Sequence, residues 1–373
     1  MASKIVLHIG LQKSGTTFLQ HMLQDNSGAL AKAGVLYPVP KDWDDGRRTV
    51  PNHEWSSYGL LGTEYPWVPE ERASRAAPAW DALLKQVRAW PSTVLLSAEA
   101  LSVIRANAVR RLLDSLGVDD VEVVITARSL GRAMPSLWQQ HIRNGRSTSF
   151  ESYLGRLAAH RDKGRDHVEA DLDAHIWRAF TLSGLVQRWS DAGAKRVSVV
   201  TSPGKPPELL LERFVQAAGL PDLVHVPVAD RRAHTGFTAS ETLVLASLNA
   251  AMRDHSWPGP KADRLRQIVT ERFQAREQRG GKLAVPPDWR PRVADWSKAD
   301  LTALQATDAR IVGAVEDLRY DPAQDRTAPP TAEETARAGA EAALALADPA
   351  LADGLPDDSP VRRRARRLRR LMG

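Results

Sequence analysis

The 373-residue chain contains no cysteine. That absence excludes a disulfide scaffold, a thiolate-ligated zinc site and thiol catalysis together. It also contains no run approaching the ~20 apolar residues that a membrane-spanning helix needs. The apolar run Ile5-Val6-Leu7, which follows Met1-Ala2-Ser3-Lys4, is too short for the core of a signal peptide. The expectation is a cytoplasmic, soluble protein. Aromatic residues make up only 6% of the chain, and tryptophan, with 11 copies, leads them.

Acidic charge is in slight deficit, 45 residues against 51 lysines and arginines, for a net of +6. Its distribution is uneven. From Asp321 to Asp358 nine acids face only Arg326 and Arg337, a net of −7, while Val361–Gly373 carries seven arginines and no acid. These two segments cancel, so the net +6 also describes residues 1–320. A mildly basic body suits an anionic small ligand, and no nucleic-acid partner is expected.

Short runs rich in Val, Ile and Leu predict strands at Ile5–Ile9, Thr93–Ser97, Val121–Ala127 and Val197–Thr201. None is polar on one side, as expected for parallel strands buried on both faces. Between them helical periodicity covers Thr16–Ala31, Glu70–Trp90, Val103–Leu116, Met134–Arg143, Ala174–Ala192 and Glu208–Ala218. Such alternation predicts an α/β fold with a doubly wound, mostly parallel sheet flanked by helices. Further helices are expected at Ala239–Arg253, Ala262–Glu277 and Lys298–Leu318. From residue 321 alanine, proline and acids dominate and aromatics vanish, which predicts a disordered or loosely helical tail. The expected division is an α/β domain over 1–320 and a tail over 321–373.

The first strand runs into Gly10-Leu11-Gln12-Lys13-Ser14-Gly15-Thr16-Thr17, and a helix opens at once. Strand, glycine-bounded loop and helix N-terminus make an anion site, where backbone N–H groups converge at the positive end of the helix dipole. Gly10 and Gly15 allow close backbone approach; Thr16 and Thr17 can cap the helix and donate hydroxyls. Gly10 and Gly15 hold the spacing of a nucleotide-hydrolase loop, G-x-x-x-x-G-K-[ST]. The lysine, however, is Lys13, inside the loop, and Thr16 stands at the usual lysine position. A cation in mid-loop suits the bridging oxygen of a 5′-phosphosulfate.

The segment His8-Ile9-Gly10-Leu11-Gln12-Lys13-Ser14-Gly15-Thr16-Thr17-Phe18-Leu19-Gln20 resembles the 5′-phosphosulfate loop of the P-loop sulfotransferase family, which uses 3′-phosphoadenosine-5′-phosphosulfate (PAPS). Gln12 departs from the family's usual proline. The resemblance implies a second phosphate site, an arginine after a later strand with a serine eight residues on, and Arg128 with Ser136 matches it. Ser129-Leu130 departs from the family's Asn-Pro or Asp-Pro, and Arg132 lies between the two residues. It further implies sulfuryl transfer from PAPS as co-substrate, with no metal required. The acceptor class is open: a small metabolite, a glycan or a lipid-linked sugar.

Sulfuryl transfer needs a cation at the leaving oxygen and a base for the acceptor proton. Lys13 is the candidate for the first task. For the second the candidates are Glu99, which follows the strand Thr93–Ser97, and His53, in the loop Pro51-Asn52-His53-Glu54-Trp55. Trp43, Trp55 and Trp67 sit among loop residues and are candidates for acceptor stacking; Trp80 and Trp90 fit helix spacing and core packing. Two other readings stay open on the sequence alone: a P-loop kinase or nucleotide hydrolase, and a polyanion-binding protein without activity.

At the chain's end Val361, Ala365, Leu368 and Met372 recur at helical spacing among seven arginines. So short a basic amphipathic segment is not a stable free helix; it is expected either to stay a disordered solubilising tail or to form against an acidic partner. The candidates are an anionic membrane surface, at up to ~1 kcal/mol per arginine, and the chain's own acidic stretch. Deleting residues 359–373 is expected to abolish salt-sensitive binding to anionic vesicles while leaving activity on a soluble acceptor unchanged. Vesicle sedimentation checks this, and no binding by the full chain at low ionic strength contradicts the membrane reading.

Overall fold

The computed structural model describes residues 1–38, 52–221, 236–276, 280–325 and 328–347. Trp43 and the arginine-rich segment 361–373 lie outside them. In chain order the elements are β1 (Lys4–His8), α1 (Thr16–Asp25), α2 (Ser27–Lys32), β2 (Val35–Leu36), α3 (Glu54–Leu61), α4 (Glu70–Ala89), β3 (Thr93–Ser97), α5 (Ala106–Leu116), β4 (Val121–Ala127) and α6 (Leu130–Arg143). There follow α7 (Phe150–Asp162), α8 (Arg165–Ala170), α9 (His175–Phe180), α10 (Leu182–Asp191), β5 (Arg196–Thr201), α11 (Pro207–Ala218), α12 (Ala239–Asp254), α13 (Gly259–Ala275), α14 (Arg290–Gln305), β6 (Arg310–Val312) and α15 (Ala332–Ala347). Among the described residues no helix is long and apolar enough to cross a membrane.

Contacts divide the chain into two compact units. The first holds the described residues of Met1–Met134, Leu154–Val228 and Pro287–Gln324; the second holds those of Pro135–Tyr153, Ala229–Pro286 and Asp325–Gly373. This division follows contacts, whereas the expected one at residue 320 follows composition.

The first unit is built on a six-stranded sheet in the order β2-β3-β1-β4-β5-β6, parallel at every pairing. β1 is interior, with β3 on one side and β4 on the other, so the strand order reverses there, as in doubly wound sheets. Short β-branched runs suit these strands because both faces are buried. On one face Val6, Leu95, Val124, Val200 and Val312 pack with Leu19, Met22 and Leu23 of α1, Leu30 of α2 and Phe214 of α11. Residues of the other register, among them Ile5, Leu7, Leu96, Val123, Ile125 and Val199, are as deeply buried.

Residues 310–312 correct the helix expected over Lys298–Leu318: α14 ends at Gln305 and the β-branched Ile311-Val312 adds an edge strand against β5. In the second unit α15 corrects the expected loose tail over its own length. Ala338, Ala342 and Ala345 are buried along one side, and Leu346 packs on the cluster of Met252, Ala262 and Leu265 from α12 and α13. Small side chains let these helices approach closely, so packing that needs no aromatic residue holds α15.

Candidate functional site

The parallel strands end together, and the chain's candidate residues follow those ends. The loop after β1 enters α1 through Gly15, which has φ +101°. That left-handed conformation is open to glycine without strain. Lys13 adopts φ +70°, an uncommon value for a residue with a side chain. Gly15 has no side chain with which to cap α1, so the first-turn N–H groups, which lack intrahelical acceptors, are left to the loop or a ligand.

Gly10 is fixed by its surroundings. A Cβ there would lie 1.9 Å from Thr126 Oγ1, 2.7 Å from Thr16 Cγ2 and 2.8 Å from His8 Nε2. The close approach is part of a buried hydrogen-bond chain. Leu11 N–H donates to the Thr126 carbonyl at 2.8 Å. Ser14 Oγ donates to the Leu11 carbonyl at 2.6 Å and meets Thr126 Oγ1 at 2.8 Å. The Ser14 proton is thus committed, so Thr126 donates to Ser14, and His8 Nε2–H donates to Thr126 Oγ1 at 3.1 Å. His8 Nδ1 then accepts from Ser97 Oγ at 2.9 Å, and Ser97 Oγ accepts from Gln20 Nε2 at 3.0 Å. Each hydroxyl gives one proton, which sets the direction of the whole chain and the tautomer of His8. Ser14, a candidate ligand residue, has its hydroxyl turned inward and is 1% exposed.

Thr16 is buried, and its hydroxyl donates to Glu99 Oε2; Thr17 is exposed. Glu99 opens a short 3-10 turn, Glu99–Val103, directly after β3, and is half-buried. The base candidate and the loop are therefore in contact across the β1–β3 pair.

Arg128 follows β4. Its Nη1 donates to the Lys13 carbonyl at 3.2 Å, which ties the loop to the second expected phosphate position. Its Nε is buried with no partner among the described residues. Burial, reinforced by the nearby charge of Arg132, lowers the Arg128 pKa. Arg132 donates through Nη1 to the Pro203 carbonyl at 2.6 Å. A small cavity beside Arg128 is lined by Leu11, Leu130, Phe180, Leu182 and Asp300 among others. Ser136 is the seventh residue of α6 and belongs to the second unit.

His53 has a different setting from the open loop expected of an acceptor base. It is 3% exposed. Its Nδ1 accepts from Ser97 N–H at 2.9 Å, and its Nε2 donates to the Pro38 carbonyl at 2.7 Å. Both nitrogens are held by backbone groups, so the ring braces β3 against the chain that leaves β2. Trp55 and Trp67, the acceptor-stacking candidates, belong to an aromatic cluster. Trp55 meets Tyr58 edge-on, Tyr58 meets Tyr65, and Trp67 lies against Tyr65 and His175. Arg72 sits over Trp55 and Tyr58. Trp80 is buried, and Trp90 donates to the Gly34 carbonyl.

The residues that local sequence reasoning passed over are His8, Ser97 and Thr126. They are polar positions inside apolar strands, and that mismatch is the signal that could have marked them. Compared with known proteins, the chain matches no protein-family model and none of the curated proteins.

Two buried histidines make the site sensitive to acid. Desolvation pushes His8 from 6.5 down to about 3 and His53 from 6.5 to about 4. The unfolded chain binds their protons near pH 6.5 and the folded chain does not. Stability is thus fully present above pH 6.5 and is lost as pH falls toward the folded values. Each histidine adds a slope of up to about 1.4 kcal/mol per pH unit in that window. Urea unfolding across the window is expected to show a shallower acid limb for His53→Asn than for the wild type; equal slopes contradict this.

Proposed function

We propose that the chain is a P-loop sulfotransferase that transfers a sulfuryl group from PAPS to a hydroxyl or amine of an acceptor. The observation that carries the reading is the chemistry of the loop. A triphosphate-binding loop needs its lysine where this chain has Thr16, and the Thr16 hydroxyl is engaged by Glu99. The cationic residue is Lys13, in mid-loop, and Arg128 holds its carbonyl.

Two features fit the donor. The first turn of α1 has no side-chain cap at Gly15, which leaves backbone donors for an anion, and the buried, unpartnered Nε of Arg128 suits an anion that would offset its desolvation. Gly10, Lys13, Gly15 and Thr17 would hold the 5′-phosphosulfate, and Arg128 the 3′-phosphate. The donor supplies the activated sulfuryl group. Glu99 takes the acceptor's proton as the acceptor's bond to sulfur forms. Lys13 offsets the charge left on the phosphate oxygen as its bond to sulfur breaks. The Thr16 hydrogen bond orients the Glu99 carboxylate for that step.

Thermal denaturation tests the reading. With 3′,5′-adenosine bisphosphate at 100 times its dissociation constant and no Mg²⁺, stability is expected to rise by ~2.7 kcal/mol. Stabilisation by Mg-ATP alone contradicts the reading in favour of a kinase; equal stabilisation by sulfate, heparin and nucleotides contradicts it in favour of a polyanion binder. For the base, Glu99→Gln is expected to keep bisphosphate affinity and to lose ~10²–10⁴ in turnover. Full activity in Glu99→Gln contradicts its role.

A further inference from the structure

Away from the loop, the first unit brings three potential metal ligands together. The chain has ten histidines, and two of them face each other: His160 Nδ1 lies 3.0 Å from His167 Nε2. The rings are stacked with centroids 5.3 Å apart and planes 14° apart. Asp171 Oδ2 lies 3.7 Å from His167 Nε2, and one ligand atom of each residue falls within 4.8 Å of the others. His160 is near the end of α7, His167 is in α8, and Asp171 follows α8 directly.

We propose that His160, His167 and Asp171 form a binding site for a divalent metal ion of the zinc class, with three protein ligands and an open position for water. Two nitrogens bound to one tetrahedral zinc at ~2.0–2.1 Å lie about 3.3–3.4 Å apart. The His160–His167 and His167–Asp171 separations, 3.0 and 3.7 Å, lie on either side of that value, and all three ligand atoms fall within 4.8 Å of one another, so modest side-chain shifts complete the site. In the metal-free pair one N–H must donate to the other nitrogen. Metal binding moves that proton to the outer nitrogen of its own ring, which leaves both inner lone pairs for the ion without a net release of protons.

Asp171 is already oriented for the task. Its Oδ1 accepts from Asp173 N–H at 2.8 Å and caps the turn Leu172–Ala174, which leaves Oδ2 toward the histidines. Hydrogen bonds that fix a ligand in this way are characteristic of metal sites. That N–H holds the Asp171 carboxyl below its usual range. All three ligands are only partly exposed, so an ion can enter without unfolding the segment. The backbone beneath them is anchored: buried Arg178 donates to the carbonyls of Val168 and Asp171, and through Nε to that of Val103 at 2.7 Å. Two imidazoles with one carboxylate favour zinc, nickel or copper over magnesium or calcium.

The test is calorimetric titration of the chelator-treated full chain with Zn²⁺. One ion per chain is expected, with affinity lowered at least about hundredfold in His160→Gln and His167→Gln, beyond the ~10–100-fold typical of a residue that only orients a ligand. Asp171→Asn keeps an oxygen for the Asp173 N–H and is expected to weaken binding by at least about tenfold. Circular dichroism of the metal-free variants verifies their fold, and Asp171→Asn serves as the test where a histidine variant misfolds. His255→Asn, on an exposed residue of the second unit, is expected to bind as the wild type does. Absence of a stoichiometric Zn²⁺ site in the full chain, or unchanged affinity in the well-folded ligand variants, overturns the proposal.

Discussion

The site depends on one close approach, that of Gly10 to Thr126. With no Cβ in the way, the end of β1 comes near enough to β4 for Leu11 N–H to reach the Thr126 carbonyl. The Thr126 hydroxyl is then placed between Ser14 and His8. The curvature of the loop follows from these bonds. They are buried, and an unmade bond there would cost about 1–3 kcal/mol for each polar group. The loop is therefore preorganised, and Lys13 holds a left-handed conformation that a free chain seldom populates.

Around that loop the sheet acts as a template. Parallel register aligns His8 with Ser97 on one side and with Val124 on the other, so residues just beyond the strand ends gather at one edge. Glu99 reaches Thr16 from the β3 side, and Arg128 reaches the Lys13 carbonyl from the β4 side. Two largely buried arginines hold the chain behind Glu99. Arg178 binds the Val103 carbonyl, and Arg188 binds those of Ser102, Ile104 and Arg178 while pairing with Glu169. Their charge is stabilised mainly by carbonyl groups, and the turn carrying Glu99 is thereby fixed at its far end.

Much of this architecture is legible in the chain itself. Thr93–Ser97 and Val121–Ala127 are runs of strand length rich in Val, Ile and Leu, and the strands formed there have those bounds. The loop between β1 and α1 is equally visible from its glycines. β2 has only two residues and no periodicity to detect. β6 lies directly beyond a helical stretch whose pattern runs into it, and pairing with β5 decides its state. α15 hides because its buried face is alanine, which carries little hydrophobic signal. The setting of His53 is beyond a local reading, because its partners Ser97 and Pro38 are distant in sequence. The same holds for His160 and His167, whose spacing matches no metal motif and whose meeting depends on the turn between α7 and α8.

The central claim is that Lys13 and Arg128 bind the two phosphate groups of one adenosine nucleotide. Calorimetric titration with 3′,5′-adenosine bisphosphate measures this directly in the wild type, Lys13→Ala and Arg128→Ala. Charged hydrogen bonds of this kind contribute ~1.5–3 kcal/mol each, so each substitution is expected to weaken binding roughly ten- to hundredfold. Wild-type affinity in both variants would contradict the account.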